Sequence, residues 1–178
     1  ATVAVLLTPA AATPKPAGLL RVRLATPLGA LVVAVDTKPA PRPAANFLPH
    51  VSRGRLDGAA QHRAAPSPHA PQFGFIHGGP RTAARRILPP FPHESTLKTG
   101  FKHTDGTISM ARRMEPNSAG GNFFITVGAM PSMDARPGYQ GYAAFGHVVA
   151  GMDVVKRLLA RPTGGGMGGQ LMQKVVPL

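Results

Sequence analysis

The chain has no cysteine and no tryptophan among its 178 residues, and only 7 aspartates and glutamates against 20 lysines and arginines. Without cysteine there is no disulfide framework, no thiolate metal site and no thiol nucleophile, although an oxidising compartment stays open. The few carboxylates are dispersed, with Glu94 and Glu115 in loop-like stretches, so a paired general acid and base is not expected. The histidines, at 50, 62, 69, 77, 93, 103 and 147, show no H-E-x-x-H or other ligand spacing. A G-x-S-x-G elbow is missing, and the glycine-rich tail lacks the G-K-[ST] of a phosphate cradle. No apolar run reaches the roughly 20 residues that span a bilayer, so no membrane span is expected. An enzyme made from this chain is expected to work without metal, nucleophile or acid–base pair.

What is present suits one globular domain: 43% hydrophobic and 15% charged residues, on a chain long enough to bury a core. The opening "ATVAVLLTPAAAT" is apolar and carries an A-x-A pattern at Ala10 and Ala12. It resembles the end of a secretory signal peptide cleaved after Ala12. With Pro14, Pro16 and Gly18, residues 1–18 read as a signal-peptide remnant and linker, and 19–178 as the domain. A periplasmic or secreted protein is therefore expected, a cytoplasmic one with an ordinary first strand or tail being the alternative. The net charge of +13 favours polyanions in general. Its basic residues, however, fall in scattered pairs (Arg85-Arg86, Arg112-Arg113, Lys156-Arg157) with no nucleic-acid-binding signature, so a solvated surface and no specific nucleic acid are expected.

Periodicity predicts two strands in "LLRVRLATPLGALVVAV", with "TPLG" as the turn. A helix follows in "APRPAANFLPHVSRG", where Ala44, Phe47, Leu48 and Val51 share a face and Pro49 threatens to kink or end it. Residues 64–72, rich in Pro and Ala, read as loop, and 80–106 as mostly irregular. "FGFIHGG", "GTISMA", "NFFITVG", "YAAFGHVVA" and "LMQKVVPL" read as strands, and "GMDVVKRLLARP" as the best helix. Seven or eight short strands with two helices imply a mainly β fold, a closed antiparallel barrel capped by helices.

One reaction needs none of the missing chemistry. Rotation about an X-Pro bond is opposed by amide resonance, a barrier of about 18–20 kcal/mol. Lowering it takes an apolar pocket for the proline ring, a donor aimed at the imide nitrogen, and polar groups that hold the peptide. An arginine in a partly dry groove suits the donor role.

"HRAAP" with "FGFIHGG", then "GTISMARRMEPNSAGGNFFITVG", "MPSMD" and "AAFGHVVAGMDVVKRLL", resemble a cyclophilin-type peptidyl-prolyl cis-trans isomerase, and in particular its exported alphaproteobacterial branch. The resemblance covers residues 20–178 and implies an eight-stranded antiparallel barrel with two capping helices. It also implies a proline-peptide isomerase or rotamase assisting protein folding, a chaperone-like task needing no cofactor, expected as a monomer. Matched by position, Arg63 takes the place of the catalytic arginine, Phe124 that of the pocket floor, Ala111 that of a backbone contact and Met133 that of an apolar wall. Periodicity alone leaves either Phe123 or Phe124 for the core. Several places are altered: His77 and Asn122 stand for glutamines, Arg112 for an asparagine, Ser132 for a tryptophan and Tyr142 for a histidine. The expected pocket phenylalanine falls on Gly74, leaving Phe73 or Phe75 to substitute. Two rival readings remain: a proline-peptide-binding module with little turnover, and a polyanion-binding protein.

Overall fold

The computed structural model describes residues 18–178, so the stretch read as a signal-peptide remnant and almost all of the linker lie outside the described residues. β1 (Leu19–Thr26) and β2 (Gly29–Asp36) form a hairpin across Pro27 and Leu28, in register Val22↔Val33 and Leu24↔Leu31. Val22 and Leu24 are buried while Arg21 and Arg23 point out, the period-2 pattern that the sequence displays.

α1 (Pro41–Ser52) runs through Pro49 without ending, and the Arg53 N–H still donates to the Pro49 carbonyl at 3.1 Å. The carbonyl that Pro49 cannot serve belongs to Ala45, which is exposed to solvent. The region 64–72, expected as loop, is instead a hairpin of β3 (Ala60–Ser67) and β4 (Ala70–Gly79). Small side chains of β3 lie opposite bulky ones of β4, as in Ala64↔Ile76 and Ala65↔Phe75. Pro66 is tolerated because the register shifts between it and Ser67, where a missing N–H breaks no ladder. Residues 80–106 are irregular as expected, apart from a short α2 (Thr96–Thr99) capped by the Ser95 side chain.

β5 (Thr107–Met110), β6 (Phe123–Val127), β7 (Ala143–Ala150) and β8 (Leu171–Pro177) complete one antiparallel sheet, ordered β1-β2-β7-β5-β6-β4-β3-β8. Its outer strands do not pair with each other among the described residues, so the sheet wraps as an open half-barrel and does not close as the sequence led us to expect. The reason lies in the helices. α3 (Met152–Leu159) packs against β2 on one side and against β3 and β4 on the other, bridging the two halves with Val154, Val155, Leu158 and Leu159. α1 covers β2 and β7. At the centre Phe47 of α1 meets Phe123 edge-on at 5.6 Å and Phe145 at 5.0 Å. α4 (Gly166–Gly169) is a single glycine turn leading into β8.

Candidate active site

Successive residues of a strand face opposite ways, and this decides between the paired phenylalanines. Phe123 turns to the core and Phe124 to the other face of β6. Arg63 pairs with His77 across β3 and β4, and His77 pairs with Phe124 across β4 and β6. The register thus lines up Arg63, His77 and Phe124 on one face of the sheet.

Phe124 is the hub of that face. The edge of Phe75 meets it at 5.6 Å and that of Tyr142 at 5.1 Å, while the His103 ring stacks on it at 5.8 Å. His103 is fixed from both ends: Nδ1 lies 2.7 Å from the Asp134 carboxylate and Nε2 lies 2.7 Å from the Ser109 hydroxyl. Asp134 can only accept here, which assigns the proton to Nδ1 and leaves Nε2 to accept from Ser109. Burial lowers the His103 pKa against the opposing pull of Asp134. The order Asp–His–Ser mimics a hydrolase triad, yet Ser109 is wholly buried, so the set works as a brace behind Phe124.

Arg63 stands over the Phe75 ring at 4.9 Å, a cation–π contact at the edge of the aromatic cluster. Its Nε and Nη2 donate to the Gln170 side-chain oxygen at 2.8 and 2.5 Å. Burial lowers its pKa from the ordinary value, and the guanidinium remains charged. Phe73, the other candidate for the pocket, is 48% exposed with its ring over Gly128, so Phe75 is the one that meets Phe124.

The remaining site residues fall around this cluster. Met133 sits in a 3-10 turn (Pro131–Met133), and its carbonyl accepts from the Tyr142 N–H at 3.1 Å. Arg112 lays its guanidinium over Tyr142 at 4.9 Å and donates to the carbonyls of Gly141, Arg113 and Met114. The Ala111 N–H donates to the Asn122 carbonyl, so what Ala111 can offer a peptide is its own carbonyl. Asn122 was expected as a groove amide. Its side chain instead clasps the backbone of Arg81, accepting from the N–H at 2.8 Å and donating to the carbonyl at 2.9 Å. Arg81 has a φ of 54°, a left-handed conformation that this two-point clasp holds. One Asn122 N–H remains.

His77 has its Nε2 buried without a partner and its ring 4.7 Å from that of His62. Burial, then the charges of His62, Arg63 and Arg81, push its pKa down to about 3, so the ring is neutral at ordinary pH. It opens on a cavity of about 470 Å³ shared with His62, Arg81, Ala111, Asn122 and Met167. Sequence reasoning missed Arg81, Met167 and Gln170 because all three sit in runs of loop-like composition. Among the described residues no cluster of His, Cys, Asp and Glu has the geometry to hold a metal ion.

An arginine thus stands beside a cluster of aromatic rings on one face of the sheet. The family described as cyclophilin type peptidyl-prolyl cis-trans isomerase/CLD matches residues 21–176. A peptidyl-prolyl cis-trans isomerase of Acinetobacter baylyi is 33% identical over 142 residues, 80% of this chain and 73% of that protein. Peptidyl-prolyl cis-trans isomerase A of Dickeya dadantii is 35% identical over 137 residues, 77% of this chain and 70% of that one. Among solved structures, a Cryptosporidium parvum cyclophilin type isomerase superposes with a TM-score of 0.71 at 22% identity, covering 90% of this chain and 94% of that one. The same parasite protein in the presence of the dipeptide Ala-Pro gives the same TM-score, covering 89% and 95%.

The chain belongs to the cyclophilin-type peptidyl-prolyl isomerase family. It is an enzyme of that type, a catalyst of rotation about the bond preceding proline.

Proposed function

We propose that Arg63 drives the rotation and that Phe124, Phe75, Met133 and Tyr142 hold the proline ring of an unfolded or folding chain. One observation carries this reading: the guanidinium of Arg63 stands at the rim of the aromatic cluster, over the ring that touches the pocket floor. As the imide twists, resonance is lost and the nitrogen lone pair becomes available. A fixed N–H donor stabilises that twisted state more than either planar isomer, which is the condition for catalysis. His77, the remaining Asn122 N–H and the Ala111 carbonyl hold the flanking peptide backbone.

Arg63→Ala is expected to slow isomerisation of a short X-Pro peptide about a hundredfold, roughly 3 kcal/mol of barrier. A change below about threefold in a folded variant would remove the role assigned to Arg63.

A second reading, a proline-peptide holder with little turnover, draws support from Arg112 and Asn122, whose polar groups are engaged by the chain's own backbone. NMR exchange spectroscopy decides between the two, since a pure holder shifts peptide peaks without accelerating cis–trans exchange.

The finer context is also part of the proposal. An exported protein of the alphaproteobacterial branch, acting as a monomer on proteins folding in the periplasm, is supported by the apolar "ATVAVLLTPAAAT" and the "HTDGTISMAR" run. Fractionation of cells expressing the gene with its native start tests it, and recovery in the cytoplasm would overturn it.

A further inference from the structure

We propose that Gln170 is the positioning residue for the Arg63 guanidinium, which makes the glycine-rich segment before β8 part of the catalytic apparatus. The proposal rests on the reading of Arg63 given above. Nε and Nη2 of Arg63 both donate to the one side-chain oxygen of Gln170. Two donors converging on a single acceptor fix the plane of the guanidinium and leave three N–H groups for the substrate.

The other neighbours of Arg63 do not supply this restraint. Phe75 offers the face of a ring, which attracts the charge without choosing its rotation. His77, the cross-strand partner, is neutral, and its buried Nε2 has no partner. Arg63 takes part in none of the ion pairs formed among the described residues. A carboxylate in place of the amide would cancel part of the field that the imide nitrogen must feel. An amide oxygen orients the cation and leaves its charge in place.

Gln170 is itself held where this role demands. Its backbone carbonyl accepts from the Ala64 N–H at 3.0 Å, one residue from Arg63, and Leu171 pairs with Arg63 across β3 and β8. The preceding run folds back tightly: Gly165, Gly168 and Gly169 have φ of 76°, 67° and 81°, and the Gly169 N–H donates to the Gly165 carbonyl at 3.1 Å. A Cβ at these three positions would meet nothing within 4 Å, so glycine is needed there for backbone conformation and not for space. Met167, also left-handed at φ 55°, lines the cavity that holds His62 and His77. The segment therefore places one residue on the arginine and another in the adjoining cavity, and a mere connection from α3 to β8 needs neither.

The test measures kcat and KM for an X-Pro peptide in wild type, Gln170→Met, Gln170→Glu, Arg63→Ala and the double variant Arg63→Ala/Gln170→Met. Solvent exchange of the Arg63 Nε–H is followed by NMR in parallel. Gln170→Met, similar in size and lacking the acceptor, is expected to lower kcat about tenfold while KM stays within about twofold. In the Arg63→Ala background the same change is expected to alter kcat less than about twofold, because the group it positions is gone. Gln170→Glu, which keeps the acceptor, is expected to retain more kcat than Gln170→Met, and the Nε–H is expected to be protected in wild type and exposed in Gln170→Met.

A Gln170→Met variant with wild-type kcat, beside an Arg63→Ala that loses activity, overturns the role of Gln170 alone. An equal loss in both backgrounds does the same, since it marks a structural effect. If Gln170→Met does not fold, Nε–H exchange in wild type decides, and an unprotected Nε–H overturns the proposal. Full activity in Arg63→Ala instead overturns the reading of Arg63 itself.

Discussion

Arg112 shows how one side chain ties separate chain segments to the aromatic cluster. Its guanidinium joins three carbonyls of two chain segments and covers the ring of Tyr142, which in turn presses on Phe124. That side of the cluster is held by charge–carbonyl bonds, and Ser132, where the resemblance places a tryptophan, is exposed. Arg112→Ala releases Tyr142 and is expected to raise KM about fivefold, about 1 kcal/mol of binding, with kcat little changed. An unaltered KM would show that Tyr142 keeps its place unaided. That Arg63, Phe124 and Tyr142 belong together was suggested by the motifs they sit in, and the structure places them around one ring cluster. The fate of Asn122 was not, since its partner Arg81 lies 41 residues away and a side-chain clasp on a distant backbone leaves no local pattern.

At the scale of elements, strands with regular alternation were legible and irregular ones were not. β1, β2, β6 and β7 follow from their apolar patterns, whereas residues 64–72, the second half of β3 and the first three residues of β4, read as loop. Their Ala, Pro and Gly content carries little strand propensity, and pairing with β8, β4 and β6 supplies what local preference does not. The closed barrel was over-read for a related reason: counting strands says nothing of whether the first meets the last.

The loop before β6 was correctly read as glycine-rich, and the structure gives the reason. Gly121 has a φ of 121°, and a Cβ there would lie 2.4 Å from Nε2 of His50. That ring is wedged in α1, with Nδ1 at 2.7 Å from the Asn46 carbonyl and Nε2 accepting from Leu88. Gly121→Ala is expected to destabilise the fold by about 2–3 kcal/mol in urea unfolding. A loss below about 0.5 kcal/mol would show that α1 gives way freely.

Across the whole molecule, titration is dominated by histidine. Burial is the leading cause of a lowered pKa at His50, His62, His77, His93, His103 and His147. A histidine with a depressed folded-state pKa binds fewer protons than it does unfolded. Its contribution is complete above the unfolded value of 6.5 and is lost as the pH falls, for His77 down to about 3. Urea unfolding free energy is therefore expected to decline steadily from about pH 7 to pH 4, and His77→Phe to flatten part of that slope. A pH-independent stability across this range would contradict the burial of these rings.

The composition that excluded so much also has a use. The chain contains two tyrosines and no tryptophan. Tyr142 lies edge-on to Phe124, and Tyr139 lines a surface cleft together with it. Ultraviolet emission from tyrosine in the folded protein thus originates beside the proposed proline site, unmasked by any indole elsewhere. A proline peptide without aromatic residues can be titrated against that signal directly, and its occupancy read without a label.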